Sequence, residues 1–420
     1  MKKVLSFIIA LITAVVTFAV PVYADSVIDD IGDYIVYSLE NYQQGIIDIE
    51  KYVNKYGWTK KQTSEVITSV MYSHPELFFI KEGFLLHSEY NKVCGVSFEY
   101  TMSRSERTAA RNKMDAAAKK AIAGITSGMN DVDKALYIHD YIIQNCRYDF
   151  NHKKYNAYNC LVENSCVCQG FSLAYSYILN NYLGIKCTVA YSDAQNHIWN
   201  YVKIGNNWYH VDLTLDDWHD TDGNSMYDRY GGIYHDNFLM SDTKCRSTSS
   251  MHNNWIIVGN YPAANDKSYD NAFWNGVNSA IYYDNGNYYY IVEGAKEGKS
   301  HVVQVFRYNR KSQTATKLAK LNTAWYKLRN ANTGETFPYG KKIYSEICSS
   351  IVLMNGKLYF NSNKCVYSYD LSTKAVKKVF TLDKGEEMQI FSMVKYGDKI
   401  RIAYRKDTTY PETYMKLVFA

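Results

Sequence analysis

The chain has 420 residues and a formal charge of +5, of which Lys2 and Lys3 supply two units. That balance is too near neutral to mark a nucleic-acid binder, and a hydrophobic content of 47% excludes a disordered chain. The length predicts two or three domains.

The N-terminus carries a targeting signal. Lys2 and Lys3 form a positive region, Val4 to Val20 is apolar, and Val22-Tyr23-Ala24 offers a cleavage site before Asp25. Residues 1–24 therefore read as a secretory signal peptide, in preference to a retained anchor. The expectation is a secreted protein, extracellular or attached to the cell surface, with no membrane association after cleavage. No cysteine lies in or just after the segment, so no lipid anchor is expected.

A mixed helical and strand region follows over 25–127. Helical patterns run from Ile28 to Tyr52 and from Lys60 to Tyr72. Pro75-Glu76-Leu77-Phe78-Phe79 opens a strand region that reaches Tyr100. Ser105 to Ile125 is an Ala- and Lys-rich amphipathic helix, and Asp131 to Cys146 is another.

The strongest chemical signal lies further on. After Cys168-Gln169-Gly170, the residues Phe171, Ala174, Tyr175, Ile178, Leu179 and Tyr182 recur at helical spacing, and Gly184 stops the pattern. Cys168 thus falls at the N-terminus of a buried helix. Unpaired N–H groups and the helix dipole stabilise a thiolate there. Free cysteine is also a common buried residue, so the setting carries the reading rather than the residue.

Ile185 to Tyr191 reads as a strand, and His197 to Ile204 as a second one. Gly205-Asn206 is a hairpin turn, and Asn207 to Asp212 returns antiparallel. In that register Ile204 faces Asn207 and Trp199 faces Asp212. His197 is then diagonal to Asp212 on one face, roughly 7–8 Å away between backbones. A one-residue slip would separate them onto opposite faces. Cys168, His197 and Asp212 therefore form a nucleophile, a base and the group that orients the base.

These stretches resemble a known family. Cys168-Gln169-Gly170-Phe171-Ser172 is similar to the V-C-Q-G-Y-A nucleophile motif of bacterial transglutaminase-like proteins. Asn196-His197-Ile198-Trp199-Asn200 resembles their H-A-W-N motif, and Trp208 to Asp217 resembles W-Y-H-V-D-x-T-W-D-D. Asp133 to Tyr141 resembles the K-A-x-x-I-H-D-Y helix, and Asn237 to Asp242 resembles Y-F-L-x-S-D. The departures are Ile198 for Ala, Leu215 for Trp, and Phe171-Ser172 for Tyr-Ala. The resemblance runs from about Ser26 to Tyr261. It implies an α+β fold with a papain-like core over 128–262 and chemistry on amide carbonyls. Cys168 would attack, and His197 would protonate the departing nitrogen and then activate water or an amine. The implied oxyanion hole combines the Cys168 backbone N–H with one upstream donor, for which Tyr158 is the candidate. The implied partner is a protein or peptide substrate, with cell-wall peptide as one option. Neither transfer nor hydrolysis is selected. The alternative is a non-catalytic surface- or wall-binding protein that keeps the fold; the intact triad favours the enzyme.

No cofactor or metal is expected. The loop Asp216 to Gly223 is rich in carboxylates but fails the EF-hand template, because Trp218 and Arg229 occupy ligand positions. A solvated loop is expected there, with weak Ca²⁺ binding as the alternative. The nine cysteines show no zinc spacing and no disulfide framework, and their odd count leaves at least one thiol unpaired or bridged between molecules. Cys166, close to Cys168 in sequence, reads as a packing residue.

Residues 263–420 change character to an all-β repeat region. Asn285-Gly286 and Asn355-Gly356 are parallel hairpin signals, Val305 to Ser312 echoes Val366 to Thr373, and a third copy starts near Tyr396-Gly397-Asp398. Repeats of this size resemble propeller blades. Three are few for a closed propeller, so an irregular β-meander is expected. The 41 tyrosines suggest an aromatic face for sugar or peptide contacts.

Overall fold

A computed structural model of the chain describes residues 25–217, 233–293, 300–324, 350–383, 388–405 and 414–418. Residues 1–24, read above as a signal peptide, and the part of the acidic loop from Trp218 onward lie outside these residues.

Helices Asp25–Glu40, Glu50–Tyr56 and Lys60–Ser73 accompany a three-stranded sheet of Ile47–Asp48, Lys92–Ser97 and Leu85–Glu89. The helical run expected from Ile28 to Tyr52 is broken after Glu40. Gly45 turns the chain at φ +78°, and Ile47 pairs with Val96, both of them buried. Pro75–Leu77 forms a 3-10 turn rather than a strand, as a proline near a helical start permits. Helices Lys60–Ser73, Arg104–Ile122 and Asp131–Asn145 each begin with a reciprocal capping box, led by Thr59, Ser103 and Asn130.

The central sheet has four antiparallel strands in the spatial order Asn207–Val211, His197–Ile204, Cys187–Ser192, Ile256–Ile257. The hairpin register is the expected one, with Ile204 opposite Asn207 and Asn200 opposite Val211. Helix Cys168–Ile178 lies against this sheet. It runs on through a π turn at Leu179–Leu183 and stops at Gly184, at φ +66°. Two polar contacts fix helix to sheet: the Ser172 hydroxyl donates to Ile198 O at 3.2 Å, and Asn200 Nδ2 donates to Ser172 O at 2.9 Å.

One apolar core spans these elements. Ile31, Ile35 and Val66 join Ile138, Phe171, Tyr175, Val189 and Val202, and the same core continues into Trp274, Val277, Ile281 and Tyr288. It crosses both expected domain boundaries, at 127/128 and 262/263. A buried polar chain reinforces the second crossing. His139 bridges Asp140 at 2.9 Å and Asp216 at 3.2 Å, while His235 Nε2 meets Asp140 at 2.9 Å. Ile281 N–H then donates to Asp140 Oδ2 at 2.7 Å.

Among the described residues, the C-terminal region holds three antiparallel meanders. The first is Tyr282–Asp284, Asn287–Glu293, Ser300–Asn309 and Thr314–Ala324. The second is Ile351–Met354, Lys357–Asn361, Cys365–Asp370 and Val376–Thr381, and the third is Gln389–Tyr396, Lys399–Arg405 and Tyr414–Val418. The two echoed sequences carry a bulge at the same place, between Val305 and Phe306 and between Val366 and Tyr367. Tyr289, Ile291 and Val305 pack on Leu358, Phe360 and Tyr369, joining the first sheet to the second. Val352, Met354 and Tyr359 pack on Ile390, Ile400 and Ile402, joining the second to the third. The expected exposed tyrosine face is not what these strands present. Tyr288, Tyr289, Tyr290, Tyr359 and Tyr369 are buried, because they face neighbouring sheets or the apolar core of the preceding region.

Candidate active site

Cys168 is the first residue of its helix, after an extended Val167. Its own N–H and those of the next residues have no intrahelical acceptor, as at any helix start. The sulfur is half-buried, whereas Cys146, Cys160, Cys166, Cys187 and Cys245 are buried. Gly170 allows the close approach of the preceding strand, since an added Cβ would lie 2.4 Å from Cys166 Cβ and 3.1 Å from Asn156 O.

His197 opens its strand and is buried with Asp212. Its Nε2 lies 2.6 Å from Asp212 Oδ2. That bond fixes Nε2–H as the donor, leaving Nδ1 as the ring nitrogen for the thiol. Burial opposes charge on His197, but the Asp212 carboxylate and a hydrogen bond with Cys168 overcome it and raise its pKa to about 10. Burial likewise works against the Asp212 anion, and His197 more than offsets this, so the carboxyl stays well below the usual range. Asp212 also caps the short helix Leu213–Asp216: Oδ1 accepts from Thr214 N–H at 2.9 Å and Leu215 N–H at 3.1 Å.

A second histidine completes the group. His252 Nε2 lies 2.8 Å from Asp212 Oδ2, the oxygen that His197 uses. Its Nδ1 is 3.1 Å from both Cys245 O and the Thr248 hydroxyl. Nothing in the local sequence singles out His252: it lies 40 residues after Asp212, outside every motif. The two neighbours of His197 in its motif have supporting roles. Trp199 Nε1–H donates to His210 Nδ1 at 2.9 Å, so His210 Nε2–H turns to Asp242 at 2.9 Å. Asn200 holds the nucleophile helix.

A cavity of about 360 Å³ opens over Cys168 and His197, walled by Tyr72, Glu82, Tyr148, Tyr155, Gln169 and Asp193 among others. It shares Tyr72, Glu82, Tyr155 and Gln169 with a lobe of about 570 Å³ that has Met71, Leu77, Phe78 and Phe84 in its walls. Tyr158 lines neither space. Helix Ala157–Leu161 turns its ring onto Phe78, with centroids 5.3 Å apart. Tyr148 and Gln169 do reach the cavity beside Cys168 and replace it as candidate second donors. Asp216 is buried and committed to His139 and to Asn237, whose Nδ2 donates to it at 2.9 Å, so it is not part of the solvated loop expected from that position.

The fold and this constellation are those of a transglutaminase-like domain. Residues 117–213 match the model of the transglutaminase-like superfamily, and the chain carries a domain of that superfamily there. Members of the superfamily are generally enzymes and often use Cys-His-Asp triads. Residues 264–415 match the YycP beta-propeller domain. The three packed meanders are accordingly of propeller type, not the irregular meander expected from their small number. No curated protein matches the chain. A solved extracellular domain from B. thetaiotaomicron aligns over 55% of this chain at 10% identity and a TM-score of 0.15. The chain spans only about a third of that structure (33%), and the likeness carries no argument.

Proposed function

We propose that the protein is a secreted thiol enzyme that acts on amide carbonyls of proteins or peptides through a thioester. The observation that carries this reading is that Cys168 and His197 line one open cavity while the buried Asp212 holds the His197 ring. Cys168 sulfur adds to the carbonyl carbon of a carboxamide or peptide bond. His197 gives a proton to the departing nitrogen, and ammonia or an amine leaves. The imidazole then takes a proton from water or a primary amine as that nucleophile attacks the thioester, which restores the thiol. Asp212 keeps His197 in the tautomer whose Nδ1 serves the thiol. The helix-start N–H groups at Cys168, with Tyr148 or Gln169, face the position of the developing oxyanion. None of these steps calls on a metal.

We assign the propeller-type region to attachment or substrate presentation, on cell-wall material or at the cell surface. The catalytic triad is complete without it.

The test is incubation of the purified protein with a glutamine-containing acceptor and a labelled primary amine, followed by mass spectrometry. Label incorporation, ammonia release or peptide cleavage, absent in Cys168→Ala, is expected. Absence of all three products, together with no acyl-enzyme adduct on Cys168 across a panel of peptide amides, would overturn the reading.

A further inference from the structure

Three thiols that the reaction does not use meet behind the nucleophile. Cys146 follows helix Asp131–Asn145, Cys160 sits on helix Ala157–Leu161 and Cys166 on strand Ser165–Cys166. Cys146 Sγ is 3.4 Å from Cys166 Sγ, and all three sulfurs lie within 4.8 Å of one another. Each of these cysteines is at most 3% exposed. Residues Arg147–Tyr148 pair in parallel with Ser165–Cys166, so the chain just after Cys146 is already bound to the strand that carries Cys166. The cluster adjoins the active site, because Gly170 packs directly on the Cys166 side chain.

Two chemistries suit such a trio, a bound metal ion and a disulfide. A metal ion needs thiolates. Three thiolates around a divalent ion leave a net negative charge in an apolar site. At Cys160 burial and the Asp217 carboxylate both oppose the anion, but hydrogen bonds with Cys146 and Cys166 outweigh them and bring its pKa down to about 6. Burial pushes the Cys146 and Cys166 thiols well above their ordinary pKa, which opposes their anions. A disulfide is neutral and needs no counter-charge. The 3.4 Å contact has only to close to a bond of about 2.05 Å, within reach of side-chain rotation.

We propose that Cys146 and Cys166 form a disulfide, set as the chain folds by exchange with a small-molecule or protein disulfide oxidant. One cysteine thiolate attacks the oxidant's S–S bond and expels one thiol, leaving a mixed disulfide. The other cysteine thiolate then displaces the second half of the oxidant. One S–S bond breaks and one forms; the two cysteines lose two electrons and two protons, and the oxidant gains them as two thiols. Burial closes this route once the core has formed. The bond ties the end of helix Asp131–Asn145 to the strand that leads into Cys168. Cys160 and Cys168 remain thiols, so the nucleophile is preserved. The proposal rests on the secretion proposed above and is independent of the catalytic reading.

The test uses the full chain, exported into an oxidising compartment, denatured in iodoacetamide and digested without reduction. The expected result is a peptide pair joined through Cys146 and Cys166, two hydrogens lighter than the reduced pair, with Cys160 and Cys168 alkylated. Alkylation of both Cys146 and Cys166 overturns the proposal. So does a bond from either residue to Cys160 or Cys168, or a stoichiometric zinc or copper ion that leaves when the three thiols are alkylated.

Discussion

Asp212 Oδ2 is hydrogen-bonded by two histidines, His197 at 2.6 Å and His252 at 2.8 Å. The other oxygen accepts two backbone N–H groups. This carboxylate is therefore held by four donors, and its orientation toward His197 is set from every side. The second histidine restrains Asp212 without facing the cavity over Cys168.

His252→Ala should accordingly lower kcat without a matching change in KM. A hydrogen bond to a charged group contributes about 1.5–3 kcal/mol, which corresponds to about a 10- to 100-fold loss. His252→Gln, which can place an amide N–H near the former Nε2, should recover part of it. Steady-state kinetics on both variants make the check. Equal rates for His252→Ala and wild type would mean that the two backbone donors and His197 suffice.

The triad series separates the roles. Cys168→Ala and His197→Ala should both abolish covalent adduct formation. Asp212→Asn should leave residual activity, down by about 10⁴ if the template of other triads holds. It should also lower the melting temperature, since an amide cannot accept from all four donors. An Asp212→Asn protein with wild-type kinetics would exclude Asp212 as the orienting group.

The pH dependence follows from His197. Its folded pKa, about 10, exceeds the ordinary value of 6.5. The His197–Asp212 contribution to stability is thus fully present below about pH 6.5 and is lost as pH rises through about 10. Wild type should lose more stability than His197→Gln between those limits, on the order of a few kcal/mol. Denaturant melts of both proteins across the range test this, and parallel curves would refute the charged pair.

Cys168 should be the first cysteine alkylated by limiting iodoacetamide. Cys94 and Cys365 are also partly exposed, but both lie on strands rather than at a helix start. Mass mapping that finds Cys94 or Cys365 labelled ahead of Cys168 would count against Cys168 as the reactive nucleophile.

The grouping of Cys168, His197 and Asp212 was legible in the sequence because each sits in a short-range pattern. Helical spacing placed Cys168, and a two-residue hairpin fixed which face His197 and Asp212 share. His252 had no such pattern, because its position depends on how a loop after helix Asp242–Thr248 folds back over the sheet. Tyr158 failed for a similar reason: nearness to Cys168 in sequence says nothing of the direction in which a short helix points its ring. The excess of tyrosine read as a surface feature, whereas in the first two sheets strand alternation turns many of those rings inward against the next layer.

The continuous core leads to a last prediction, about where the catalytic unit ends. A chain cut near Ala264, where the motif resemblance stops, would lose Trp274, Val277 and Ile281 from the core. It would also strip Asp140 of the Ile281 N–H and His235 of the Val277 carbonyl at 3.0 Å. That leaves two buried polar groups of the His–Asp chain each short of a partner, at a cost of about 1–3 kcal/mol apiece. The cut protein should therefore melt at a lower temperature than the full chain and should fail to bind a thiol-directed active-site probe. Asp140→Asn in the full chain should reproduce part of the destabilisation with every core residue still present. Thermal denaturation of the three proteins is the measurement. A chain ending at Ala264 that melts with the full protein would place the whole of the supporting core before that residue.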